Sequence, residues 1–133
     1  MLRRLFPLCM AFVSSVMPVV GSTAMSNDFE KNEEVRQILR KQGDDSRTAR
    51  VVQHYAYFQT SEARDLYRDF LFARGYKVDR ESHQDPYFNP WGIVFSKVQV
   101  PNDIDVETEE LDINAAKFGG EYDGWESGIV RSP

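Results

Sequence analysis

The nine residues 118–126, FGGEYDGWE, constrain the fold of this chain more than any other stretch. They contain three glycines, three aromatic residues and three carboxylates. A glycine just past a helix end takes the left-handed conformation without steric cost, and an Asp-Gly pair is typical of a tight turn or a bulge. The stretch therefore predicts a helix that ends at Gly119 or Gly120, a chain reversal, and a last strand kinked at Asp123-Gly124.

Hydrophobic periodicity upstream of this stretch predicts three helices and three further strands. The helices are expected at residues 27–42, capped by Ser26 or Asn27; at 62–74, capped by Thr60 or Ser61; and after Pro101-Asn102-Asp103. The strands are expected at residues 50–59, from Tyr76 onward, and at 92–100. Apolar helix positions are Phe29, Val35, Ile38 and Leu39 in the first helix; Leu66, Phe70 and Ala73, widened by Tyr67 and Leu71, in the second; and Ile104, Leu111, Ala115 and Phe118 in the third, with Glu107 or Thr108 filling the gap.

After the first helix, the order of elements is strand, helix, strand, strand, helix, strand. This order predicts an α+β fold, a ferredoxin-like βαββαβ sandwich with an extra N-terminal helix. Alternation in the first strand puts Val52, His54, Ala56 and Phe58 on one face. The pattern does not decide whether the N-terminal helix covers the second face of the sheet.

Residues 1–24 form a leader that is distinct from the domain. Arg3 and Arg4 precede an apolar run from Leu5 to Val20 and the small residues Gly-Ser-Thr-Ala. This pattern is typical of a secretory signal peptide, and the run is short for a membrane span. In a competing interpretation the protein starts at Met25 and is cytoplasmic. In both interpretations the working domain is residues 25–133, with no membrane span.

Few residues in the sequence indicate catalysis. The single cysteine, Cys9, lies in the leader and excludes an internal disulfide. His54 is expected in the sheet, and His83 in a loop with Glu81 and Asp85, where weak chelation is the alternative to a solvated side chain. No nucleophile–base pair or phosphate-binding glycine loop accompanies the three carboxylates of residues 118–126. We therefore expect no enzyme activity, no cofactor and no metal.

The C-terminal third is strongly acidic. Residues 101–126 contain nine carboxylates and one lysine, Lys117, within a chain of net charge −5. Glu107 and Glu110 lie on the polar side of the last predicted helix. Such a surface is either simply solvated or a docking surface for a basic partner, because complementary charge speeds encounter and selects partners.

The segment Glu121-Tyr122-Asp123-Gly124-Trp125, preceded by Phe118, resembles the C-terminal fingerprint of the RraB family of ribonuclease E regulators. The resemblance implies a non-catalytic, cytoplasmic protein that binds ribonuclease E, or a related RNA-processing assembly, and inhibits its endonuclease activity. The implied partner is the arginine-rich, non-catalytic region of ribonuclease E. We expect the partner surface to be bordered by Glu121, Tyr122, Asp123, Trp125, Glu126, Glu107 and Glu110, with Tyr122 and Trp125 partly buried at the sheet edge.

Two other functions compete with this hypothesis. A true signal peptide would make the protein an exported, periplasmic acidic binding domain with an unknown partner. A ferredoxin-like sheet can also stack RNA bases on aromatic residues, for which Tyr55, Tyr57 and Phe95 are the candidates. An acidic domain repels phosphate, so direct nucleic-acid binding is not expected.

Overall fold

A computed structural model describes residues 24–131 of the chain, with side chains from Asp28 onward. The leader prediction for residues 1–24 therefore lies, apart from Ala24, outside the described residues. The elements are α1 (Ala24–Lys41), β1 (Arg50–Phe58), α2 (Ser61–Ala73), β2 (Lys77–His83), β3 (Trp91–Gln99), a 3-10 turn (Pro101–Asp103), α3 (Asp105–Lys117) and β4 (Gly120–Ser127).

The four strands form one antiparallel sheet in the order β2-β3-β1-β4. With β1-α2-β2-β3-α3-β4 along the chain, this is the ferredoxin-like α+β sandwich that the sequence predicts. The central strand β1 pairs with β3 from Arg50 to Phe58 and with β4 from Val52 to Phe58. The last strand, β4, is thus an edge strand that is hydrogen-bonded to the central strand β1.

All three described helices pack on the same face of the sheet. The main core joins Tyr67 and Leu71 of α2 and Leu111 and Ala115 of α3 to inward side chains of β1 and β3. A second cluster joins Val35 and Leu39 of α1 to Val52, Ile104 and Trp125. The N-terminal helix therefore extends the helix layer beside α3 and does not cover the second face.

Two helix predictions need correction. The first helix begins at Ala24, so Ser26 and Asn27 lie inside it and do not cap it. In α2 the buried stripe is centred on Tyr67 and Leu71, whereas Leu66 is 55% exposed. The sequence analysis placed the centre of that stripe one residue too early. Leu66 and Phe70 fit helical spacing as well as Tyr67 and Leu71 do, so the pattern alone does not choose between the two pairs.

Other local predictions are confirmed. The Thr60 hydroxyl accepts a hydrogen bond from the Ala63 N–H and caps α2. Gly119 has a φ of 86°, the left-handed conformation expected after a helix. Thr108 is completely buried and fills the gap in the apolar face of α3. None of the described helices is long and apolar enough to cross a bilayer.

Candidate functional site

A β-bulge in β4 determines where the fingerprint side chains point. Tyr122 is opposite Ala56 and Gly124 is opposite Tyr55, so Asp123 is an extra residue in the strand. Gly124 has a φ of 108°. Residues three apart in a regular strand point to opposite faces, but the extra residue brings Tyr122 and Trp125 to the same face, toward the helices.

Trp125 lies in the core, where it connects three elements. Its side chain is 1% exposed and packs in the cluster that contains Val35 and Ile104. The indole Nε1–H donates to Asn32 Oδ1 at 2.8 Å, and Asn32 Nδ2 donates to Asp105 Oδ1 at 2.9 Å and to Thr108 Oγ1 at 2.7 Å. The expectation that Trp125 is only partly buried, with its polar tip at a partner surface, is therefore wrong.

Tyr122 is half-buried on the edge strand β4, as the sequence predicts, and its hydroxyl joins a polar network that reaches into the main core. Its hydroxyl lies 2.8 Å from Nδ1 of His54, which is completely buried. His54 Nε2 lies 2.8 Å from Gln99 Oε1, and Gln99 Nε2 donates to Glu107 Oε1 at 2.8 Å. Tyr76 also donates its hydroxyl hydrogen to Glu107. The network leads from the fingerprint strand to the side of α3.

The hydrogen bonds fix the tautomer of His54. The Gln99 amide nitrogen faces the Glu107 carboxylate, which accepts only, so Gln99 Oε1 is the atom that faces the imidazole. His54 Nε2 therefore carries the proton, and Nδ1 accepts from the Tyr122 hydroxyl. Burial lowers the pKa of His54 to about 4, which keeps the ring neutral. Both ring nitrogens are engaged in structure, so His54 is a core residue.

The two predicted contact residues of α3 are already paired with cations. Glu110 Oε2 lies 2.6 Å from Arg74 Nη2, and the hydrogen bond from Arg74 lowers the Glu110 pKa. Glu107 Oε2 lies 3.5 Å from Lys97 Nζ. Asp105 is paired in the same way with Arg36, at 3.1 Å. The acidic helix thus has less free charge than its sequence suggests.

The remaining fingerprint carboxylates lie on β4 near the second face. Glu126 accepts a 2.7 Å hydrogen bond from the Tyr55 hydroxyl, which faces away from the helices. Glu121, opposite Tyr57 in the pairing with β1, is exposed. Asp123, the extra residue of the bulge, is also exposed. These three positions are accessible to a partner, but strand alternation puts Glu121 and Glu126 on the face opposite to Tyr122 and Trp125.

The seam between α1 and α3 carries a feature that the sequence analysis missed. Asp28 and Asp112 are hydrogen-bonded carboxyl groups on the two helices, and Glu109 adds a third acid nearby. Burial first, and then the bond to Asp112, raises the pKa of Asp28 to about 7. The apolar residues that follow them, Phe29 and Ile113, are 54% and 56% exposed. The available signal was Ile113, an apolar residue outside the apolar stripe of its helix.

The aromatic residues proposed for RNA stacking do not share a surface. Phe95 is completely buried on the helix side, stacked on His54 at 5.2 Å between ring centroids. Tyr55 and Tyr57 lie on the second face with Val94, each 6% exposed. The interpretation of Phe95 as part of a stacking platform is therefore wrong.

The expectation that His83 lies in a loop with Glu81 is wrong, because β2 continues to His83 and contains both residues. The His83 ring lies 4.0 Å from the Trp91 ring, and the Arg64 guanidinium lies 5.2 Å from the same ring. His83 is 3.6 Å from Asp85. Within residues 24–131 no group of three or more potential ligands is placed to hold a metal ion.

The chain matches the model of a known protein family. The family model RraB, Regulator of ribonuclease activity B, matches residues 29–127. The chain belongs to the RraB family. The match begins in α1 and ends with the last residue of β4, so it contains the buried network, the bulged strand and every seam residue except Asp28. No curated protein matches the chain.

Proposed function

We propose that this RraB protein is a non-catalytic regulator that binds ribonuclease E, or a related RNA-processing assembly, and lowers its endonuclease activity. The family match over residues 29–127 is the observation that carries the proposal, since the family is one of regulators of ribonuclease activity. Binding through the arginine-rich, non-catalytic region of the enzyme is part of the same proposal.

The chemistry of the buried groups supports a non-catalytic role. A general acid or base must reach the proton that it transfers. His54 is enclosed in the core, and its two ring nitrogens already engage Tyr122 and Gln99. The Tyr122 pKa lies well above its ordinary value because burial disfavours the phenolate. These groups stabilise the fold in their neutral forms.

Surface charge supports a basic polypeptide as the partner. Residues 105–117 hold five acids and one lysine. Three of these acids are paired within the protein, at Asp105, Glu107 and Glu110, whereas Glu109 and Asp112 form no ion pair within the described part of the chain. The docking charge is thus concentrated toward α1.

Cleavage assays with two forms of ribonuclease E test the proposal. The full chain should slow RNA cleavage by the complete enzyme and leave cleavage by the isolated catalytic part unchanged. Calorimetric titration against the arginine-rich region should show binding that weakens between low and high salt, because exposed charges are screened. Unchanged cleavage together with no binding at either salt concentration would contradict the proposal.

A cytoplasmic location belongs to the same proposal, because ribonuclease E is an intracellular enzyme. Cell fractionation of the full chain tests it. Recovery of the protein in the periplasm would favour the alternative of an exported binding domain.

A further inference from the structure

All three helices expose apolar side chains, including Val106 of α3, and two sets of them can be compared. Phe29 and Ile113 lie on α1 and α3, each next to an acid of the Asp28–Asp112 pair. Leu66 and Phe72 lie on α2, and each is 55% exposed. The two sets of side chains match closely in exposure, so the charges around them decide what each can bind.

The α2 surface is neutralised within the protein. Arg68 lies 3.2 Å from Asp65 and 2.7 Å from Glu81, and Arg64 lies 3.3 Å from Glu81. A second charged molecule would have to compete with these pairs. Such a surface is suited to solvation and offers little selectivity for a partner of either sign.

The seam between α1 and α3 has the opposite character. Asn32, one turn from Asp28, donates hydrogen bonds to Asp105 and Thr108, which lie one turn before Glu109 and Asp112. The two helices therefore hold the three acids close together, and Lys31 is the cation that acts on Asp28. Phe29 and Ile113 border these acids. A cation placed over the seam would relieve the repulsion among the carboxylates, while an apolar side chain beside it would cover Phe29 or Ile113.

We propose that the seam surface, defined as Asp28, Phe29, Glu109, Asp112 and Ile113, is the docking site for a basic protein segment that carries apolar side chains among its arginines or lysines. The inference rests on the proposed function for the identity of the natural partner, and extends it by naming the surface. The proposed docking site lies on α1 and α3, the two helices that Trp125 holds together, and not on the fingerprint strand β4.

Matched pairs of variants test the site. Phe29→Ala and Ile113→Ser remove the apolar part, with Phe72→Ala and Leu66→Ser as controls of equal exposure on α2. Glu109→Gln removes charge, with the exposed Glu62→Gln as its control. Because the four apolar side chains and Glu62 are exposed and Glu109 is only half-buried, each variant should keep the circular dichroism spectrum and thermal midpoint of the full chain.

Two probes separate the site from the partner. One is the arginine-rich region of ribonuclease E; the other is a synthetic peptide with arginine and leucine at helical spacing. We expect each seam variant to raise Kd at least tenfold for both probes at low salt, and each α2 control to change Kd less than twofold.

The outcomes distinguish the two proposals. If the ribonuclease E region binds and the seam variants bind it as well as the unmodified chain, the inference is overturned and the proposed function stands. If only the synthetic peptide binds, and binds at the seam, the inference stands and the proposed partner is wrong. If neither probe binds, both are overturned.

Discussion

At the scale of single residues, Trp125 was expected at a partner surface but lies in the core. The ring is enclosed by apolar side chains of α1, β1 and the start of α3, while its single polar atom finds Asn32. A buried tryptophan needs such a partner for its N–H group. We therefore expect the residue to act on the proposed docking site indirectly, by holding together the two helices that carry the seam surface.

Trp125→Phe should destabilise the domain by about 1–2 kcal/mol, because ring volume is lost and Asn32 Oδ1 loses its donor. Urea unfolding followed by circular dichroism measures the change. Glu121→Gln, an exposed substitution on the same strand, should be neutral. Equal stability of the two variants would contradict a stabilising role for both the larger ring and the Asn32 hydrogen bond.

His54 should make the domain sensitive to acid. Its folded pKa of about 4 lies below the ordinary value of 6.5, so the unfolded chain binds more protons between these limits. Stability is fully present above about pH 6.5 and falls as pH drops toward 4, by at most about 3 kcal/mol. In urea unfolding at several pH values, His54→Gln should be less stable than the unmodified chain at pH 7, and the difference should narrow toward pH 4. Parallel curves would contradict a buried neutral histidine.

At the scale of elements, the bulge in β4 depends on a backbone that only glycine adopts easily. Gly124→Ala forces a side chain onto a φ of 108° and should cost about 1–2 kcal/mol of unfolding free energy. Gly128→Ala is the control, since its φ is not positive and a Cβ there meets nothing within 4 Å. A neutral Gly124→Ala in thermal unfolding would mean that the bulge tolerates a shifted register.

The seam between α1 and α3 should respond to pH in the direction opposite to His54. The Asp28 pKa is raised from 3.8 to about 7, so the folded chain binds more protons in that range and stability is lost as pH rises through it. Asp28→Asn should therefore stabilise the domain by about 1 kcal/mol at pH 8, a value reduced for partial exposure, and have no such effect near pH 4. Chemical unfolding at both pH values checks this; a variant that is less stable at pH 8 would refute it.

The elements and their order were predictable from sequence because each is marked locally. Thr60, Gly75 and Gly119 mark helix ends, and alternation from Val52 to Phe58 marks the central strand. The contact surface was not predictable in the same way. Acids at Glu107 and Glu110 meet cations from distant parts of the chain, Lys97 and Arg74, and only the folded structure reveals that these charges are paired.

At the scale of the whole molecule, a buried ion pair fastens the residues after β4 to the loop after α1. Both Arg50 terminal nitrogens contact the Asp44 carboxylate, at 2.7 and 2.9 Å, and Asp44 also accepts from the Val130 N–H. The hydrogen bonds from Arg50 hold the pKa of Asp44 well below its usual range. Its stabilisation is thus present above the ordinary carboxyl pKa and is lost only in strong acid.

Asp44→Asn should cost about 3 kcal/mol, because it leaves Arg50 buried without its counter-charge. Amide hydrogen exchange should also show faster exchange at Val130. The neighbouring Asp45→Asn changes an exposed side chain that accepts from the Arg47 N–H, and it should change neither quantity. Slow exchange at Val130 in Asp44→Asn would mean that other contacts hold this segment.

The bulge in β4 also lets the strand hold one more residue than its partner without exchanging its two sides. Deleting Asp123 would leave Tyr122 and Trp125 two positions apart, and in a regular strand such residues share a face. Gly124 would stay opposite Tyr55 and Trp125 opposite His54, so the same side chains would face the helices. Relatives of this protein that lack a residue at this position should therefore keep the same buried side of the last strand and lose only the local kink, whereas an added residue with no second bulge would turn Trp125 away from the core.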